Sequence, residues 1–188
     1  MTTQAIVESE MTFGPYPDGQ CFHIERSNTY ADIQQGVKMA EFLLLRAENG
    51  KSPVLWVVEA KGSTPRPETQ PKFDKFIAEI REKMVNAFSL GWASRLERHQ
   101  EAKAELPDPF KNLDLTRAKV KFVLVIKDHK ESWLPPIQDA LKKALHPTVK
   151  TWCFTPPSVA VINEEGAKKY GLILPEQGGG GMTGIRSM

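Results

Sequence analysis

Val54-Leu55-Trp56-Val57-Val58-Glu59-Ala60-Lys61-Gly62, introduced by Pro53, is the stretch on which the fold turns. Residues 54–58 are an unbroken apolar run of β-branched, aliphatic and aromatic side chains, the composition of a strand buried on both faces. Such a strand belongs in the middle of a sheet. The run ends in two charged residues two apart, Glu59 and Lys61, and the two-residue period of a strand puts both on one face.

Reading outward, residues 62–71 carry Pro65, Pro67 and Pro71 and form a loop. Beyond it Phe73, Phe76, Ile77, Ile80, Met84 and Phe88 recur at helical spacing as far as Gly91, and a second helical piece carries Trp92 and Leu96. Residues 99–117 are polar and poorly patterned, which predicts an excursion from the core. VKFVLVI over 120–126 is a second buried strand. A helix follows over 132–145, with Pro135 and Pro136 in its first turn. Residues 150–154 and 159–163 read as short strands around Pro156-Pro157, and residues 164–170 as a helix ended by Gly171. Upstream, Ile33, Val37, Ala40, Leu44 and Leu45 predict a helix over 30–46 with Asn49-Gly50 as its C-cap. Residues 5–13 and 21–26 read as an antiparallel hairpin across the turn-rich 14–20.

The resulting order, ββαβαβαββα, predicts an α/β domain over 1–175, with a flexible tail over 176–188. Its architecture is a mixed β-sheet with an N-terminal hairpin and helices on its faces, because strand-helix-strand connections require a parallel crossover.

Composition sets bounds on function. A chain of 188 residues that is 40% hydrophobic and 26% charged is globular in type, and a net charge of +2 does not by itself point to nucleic acid. Cys21 and Cys153 form no metal-type pair and sit in apolar segments, which predicts buried free thiols. The N-terminal MTTQAIVESE lacks the basic and apolar regions of a signal peptide, and no apolar run approaches a membrane span, so a cytoplasmic protein is expected. There is no phosphate-binding G-x-x-x-x-G-K-[ST] loop, no G-x-S-x-G elbow and no H-E-x-x-H pair. The glycines at 178–181 precede no helix and form no phosphate cradle.

Glu59 and Lys61 remain as the pair with a chemical reading, about 6.5–7 Å apart along the strand. A carboxylate there suits a hard cation such as Mg²⁺, which takes oxygen ligands, and the neighbouring ammonium suits the charge of a phosphodiester under attack. The bland reading is a solvated salt bridge at a strand end.

A buried strand ending in Glu59-Ala60-Lys61, followed by a loop and a long helix, resembles the core motif of PD-(D/E)XK nucleases over about residues 20–126. The resemblance implies a restriction-endonuclease-like core and a Mg²⁺-dependent (or Mn²⁺-dependent) endonuclease or exonuclease that hydrolyses nucleic acid, DNA first. Glu59 matches the family's E and Lys61 its K. Glu41 matches the acid supplied by an earlier helix, both as a catalytic group and as a metal ligand. Glu25 is the choice for the metal-binding acid of an earlier strand, with Glu10 and Glu8 as alternatives. Glu41 could instead pair with an arginine, and Glu25 could be a solvent-facing neighbour of Arg26. None of the earlier acids follows a proline, and the helix expected over 30–46 interrupts the family's usual strand-to-strand order. Gln70 is similar to a glutamine found before the long helix in some nuclease branches, though its spacing to Phe73 does not fit.

Lys127, His129 and Lys130 follow the strand 120–126 directly. If it runs parallel to 54–61, both ends emerge at one edge, where open α/β sheets place ligands, and the three residues are candidates for contacting a nucleic-acid backbone. Their bland reading is a charged turn. Trp56 and Trp133 sit in core patterns, whereas an exposed Trp92 or Trp152 could stack on a base. The rival to the nuclease is a noncatalytic accessory or protein-interaction domain of similar fold, and a third option is an α/β enzyme for another phosphorylated ligand.

Overall fold

A computed structural model describes residues 3–48 and 51–174. The protein is mixed α/β, with a five-stranded mixed sheet and helices. In chain order, β1 (Ile6–Glu8) and β2 (Met11–Phe13) form a separate hairpin, and β3 (Cys21–Phe22) is followed by a 3₁₀ turn, Ile24–Arg26. Then come α1 (Asn28–Ala31), β4 (Phe42–Glu48), β5 (Lys51–Lys61), α2 (Lys72–Arg95), α3 (Ala102–Glu105) and α4 (Asp108–Lys111). The chain continues through β6 (Lys119–Ile126), α5 (Leu134–Thr151), β7 (Val159–Asn163) and α6 (Glu164–Lys169). The sheet order is β3-β4-β5-β6-β7, with β3, β4 and β5 successively antiparallel and β5, β6 and β7 parallel.

Strand β5 is central, as its double-sided apolar run requires. Leu55 and Val57 join Leu43, Leu45, Phe122 and Leu124 in a core covered by α2 and α5, including Ile80, Met84 and Leu141. Val54, Trp56, Val58 and Ala60 face the other way, toward Phe13 and Tyr16 near the N-terminus and Ala167 and Leu172 near the C-terminus. Each such side chain contributes about 1.5–3 kcal/mol when fully buried, so both layers hold β5 in place.

The main departure from the sequence reading lies upstream. Residues 30–46 are not a helix: only Asn28–Ala31 forms a turn of one, and residues 42–48 are strand β4. Phe42, Leu43, Leu44 and Leu45 are all buried and alternate between the two cores. A short continuous apolar run fits either a buried helix or a buried strand, and pairing with β5 decides for strand. The expected C-cap, Asn49-Gly50, lies outside the described residues, as does the expected tail at 176–188.

The hairpin also differs. Residues 6–13 close on themselves through Ser9 and Glu10, both with positive φ (51° and 59°), the geometry of a two-residue hairpin turn, while 21–22 pair with β4 instead. Ser9 Oγ donates to the Ala60 carbonyl at 3.1 Å and fastens that turn to the end of β5.

Helix α2 runs unbroken to Arg95 because Gly91 lies inside it, against β4. Residues 99–117 hold α3 and α4 and bury Ala102, Leu106, Phe110 and Leu113, so the segment is part of the core. Glu105 accepts hydrogen bonds from the Asn28 and Thr29 amides at 2.7 and 2.9 Å, capping α1 from outside. Residues 150–154 are no strand: α5 extends to Thr151, which leaves Cys153 exposed, whereas Cys21 is half-buried and its thiol is pushed up to about 12 by burial. Trp133, at 51% exposure, is not a core residue either. Among the described residues no helix is long and apolar enough to cross a membrane.

Gly91 lies close against the sheet, where a Cβ would be 2.6 Å from Cδ1 of the buried Leu43. Gly91→Val is expected to destabilise the fold by about 1–3 kcal/mol through overpacking, read as a lower denaturation midpoint in urea.

Candidate functional site

The end of β5 and the start of β4 are neighbours because the two strands are antiparallel: Phe42 lies opposite Val58, and the Glu41 amide donates to the Val58 carbonyl at 3.1 Å. Glu41 therefore arrives beside Glu59 from the position just before β4 and not from a helix. Glu25 comes from the 3₁₀ turn instead of a hairpin strand, and its amide donates to the Glu41 carbonyl at 3.3 Å. Neither earlier acid has the structural origin expected of it, and the predicted helical interruption before β5 disappears.

Glu59 is wholly buried and Glu41 is 5% exposed. Two ammonium groups meet Glu59: Lys61 Nζ and Lys83 Nζ each lie 2.9 Å from Oε1. Lys83 also reaches Glu41 Oε1 at 4.0 Å. Burial holds the Glu59 carboxyl above its ordinary value, even though Lys83 and Lys61 pull it back. Lys83 is held above its ordinary value by Glu59, against its own desolvation.

Glu41 is pushed up to about 9, chiefly by burial, then by hydrogen bonding to the Glu25 carboxyl and by the charge of Glu59. Two carboxyl groups at hydrogen-bonding distance share a proton, because both cannot ionise cheaply side by side. Oε2 of Glu59 and Oε2 of Glu41 are both buried without a donor. Unpaired buried acceptors are costly, and an all-oxygen pair of this kind fits a hard divalent cation.

Glu25 faces a second group of potential ligands. Glu8, His23 and Glu25 bring ligand atoms within 4.8 Å of one another. Arg26 binds Glu8 Oε1 at 2.9 Å, and burial holds the His23 imidazole below its ordinary value. Glu10 points elsewhere, to Lys127 at 2.6 Å.

Strand β6 is parallel to β5, as expected, with Ile126 opposite Lys61 and the Lys127 amide donating to the Lys61 carbonyl at 2.9 Å. Lys127 is therefore next to the site. His129 and Lys130 line an open depression of about 590 Å³ with Asp128, Glu131, Asn163, Glu164, Glu165 and Lys168. There the His129 carbonyl accepts from Asn163, and Lys130 lies over the Trp133 ring at 5.1 Å.

Lys83 was the residue the sequence reading missed. Its signal is the seven-residue row Phe76, Lys83, Leu90 on α2, which places a lysine between two apolar positions on a core-facing edge. A lysine there, 13% exposed, needs a buried anion.

The raised pKa of Glu41 has a stability consequence. The folded state keeps a proton that the unfolded state releases, so stability is full below about pH 4.5 and falls as pH rises toward about 9. The slope is at most about 1.4 kcal/mol per pH unit. Glu41→Gln is expected to flatten this slope in urea titrations between pH 5.5 and 8.5. An unchanged slope would show that Glu41 ionises normally.

No protein-family model matches the chain, and no curated protein and no solved structure is significantly similar to it.

Proposed function

We propose that the chain is a metal-dependent phosphodiesterase acting on nucleic acid, with DNA as the first substrate to test. The observation that carries this reading is the pair of donorless buried oxygens, Glu59 Oε2 near the end of β5 and Glu41 Oε2 just before the adjacent β4, beside two lysines. Burying two carboxyl groups against each other is costly unless something is gained from it. The succession β4, β5, α2, β6, with an acid before β4 and the E-x-K triplet closing β5, supports a restriction-endonuclease-like core of the PD-(D/E)XK kind.

Glu59 and Glu41 would hold Mg²⁺ or Mn²⁺, while Glu25 stands with Glu8 and His23 in the neighbouring cluster. The chemistry such an ion supplies when bound is charge neutralisation at the phosphate and activation of a water near neutral pH. Lys61, at the end of β5 and 25% exposed, would orient that water and steady the charge on the scissile phosphate. Lys127, next along the edge, would contact the backbone once its pairing with Glu10 is exchanged for a phosphate.

The accessory reading has one observation in its favour: Lys83 already places a cation against both carboxylates. A site neutralised in this way can be purely structural. Cleavage decides between the two.

Purified protein is expected to cut single- or double-stranded DNA or RNA in Mg²⁺ or Mn²⁺ and to be silenced by a chelator. Glu59→Gln and Lys61→Ala should each lower the rate by about 10²–10³-fold, the usual loss for a charge-stabilising group. Cleavage indifferent to both substitutions would refute the assignment. A wild-type protein inert toward every substrate in both metals would leave the accessory reading.

A further inference from the structure

Lys61 and Lys83 converge on the same atom, Glu59 Oε1, but they are not equivalent. Lys61 is carried by the strand itself, 25% exposed, at the edge where the sheet opens. Lys83 comes across from the middle of α2, is 13% exposed, and, unlike Lys61, lies within ion-pair distance of both carboxyl groups, at 2.9 Å to Glu59 and 4.0 Å to Glu41. Its ammonium stands between the two groups that a divalent ion would need.

We propose that Lys83 is a resident counter-cation that competes with the divalent metal for Glu59 and Glu41, and that metal binding displaces its ammonium from Glu59. This inference rests on the metal-binding reading above and adds how the site is held when no metal is there. The argument is electrostatic. Glu59 is wholly buried, so its charge requires a neighbouring cation in the metal-free protein. A dication in contact with the same carboxylates would repel an ammonium a few ångströms away, and in a site of low effective dielectric that repulsion is poorly screened. One of the two cations must leave. Lysine is suited to leave because its charge sits at the tip of a flexible four-carbon stem that can swing without moving the helix, which the planar fork of an arginine does less readily. Lys61, the more exposed of the two lysines, can stay and face the substrate.

The test uses the full chain and Mn²⁺ alone, with binding measured by calorimetry and by the loss of the free-ion electron paramagnetic signal. Lys83→Met is expected to bind Mn²⁺ about tenfold more tightly than wild type, as for a site relieved of one competing charge. Glu59→Gln should abolish that binding, which separates it from Mn²⁺ held by Glu8, His23 and Glu25. Equal or weaker binding by Lys83→Met, with wild-type binding intact, overturns the inference and leaves the metal reading standing. If neither protein binds Mn²⁺ at Glu59, the metal reading falls and the inference with it. Should Lys83→Met not fold, the wild type decides through amine acetylation read by mass spectrometry. Mn²⁺ should raise modification of Lys83 several-fold while the remote, exposed Lys142 is unchanged. Equal protection of Lys83 with and without Mn²⁺ overturns the inference.

Discussion

Glu59 is a carboxylate with no exposure to solvent, and its charge is tolerable only because Lys83 and Lys61 each bring an ammonium to 2.9 Å from one of its oxygens. Much of the architecture around it can be understood as the means of meeting that requirement. Strand β5 must be long enough to carry Glu59 past the apolar run that anchors it. Helix α2 must cross the same face of the sheet so that Lys83 can reach over. Strand β4 must run antiparallel to β5, which brings Glu41 and, through the 3₁₀ turn, Glu25 into the same neighbourhood. A low dielectric makes every one of these interactions strong and every missing partner costly.

The apolar layers and the polar cluster share the same elements. On one face of β5, Leu55 and Val57 are continued by Glu59, so the buried row changes from oily to charged without leaving the strand. On α2, Ile80 and Met84 pack in the core while Lys83, between them in sequence, turns to the sheet end. Packing of the long helix therefore fixes the position of the ammonium. The hairpin β1–β2 closes the opposite side of the strand end through Ser9 and Ala60, and Glu10 from its turn binds Lys127. The basic residue next to Lys61 is thus balanced from a part of the chain more than a hundred residues away in sequence.

Several elements were legible from local pattern. The double-sided apolar runs at 54–58 and 120–126 are strands, the parallel crossover between them is present, and Pro135 and Pro136 do open a helix. Local pattern failed where burial hid the period. In residues 42–45 every side chain is buried, so there was no polar face from which to tell a helix from a strand. It failed again at residues 150–154, where a helix simply continues. In residues 99–117 Ala102, Leu106, Phe110 and Leu113 do recur at helical spacing, but Pro107 and Pro109 interrupt the run, and it folds as two short helices that dock onto the core.

By itself the sequence determined the central strand, because five consecutive apolar residues can be stable only with both faces covered, and it determined that Glu59 and Lys61 share a face, because a strand repeats every two residues. Only the tertiary structure decided which groups meet them. Glu41 reaches Glu59 through antiparallel pairing and Lys83 reaches it through helix-on-sheet packing, contacts between residues distant along the chain. Their partnership leaves little local trace, since what unites a buried carboxylate with its cations is the cost of leaving either one alone.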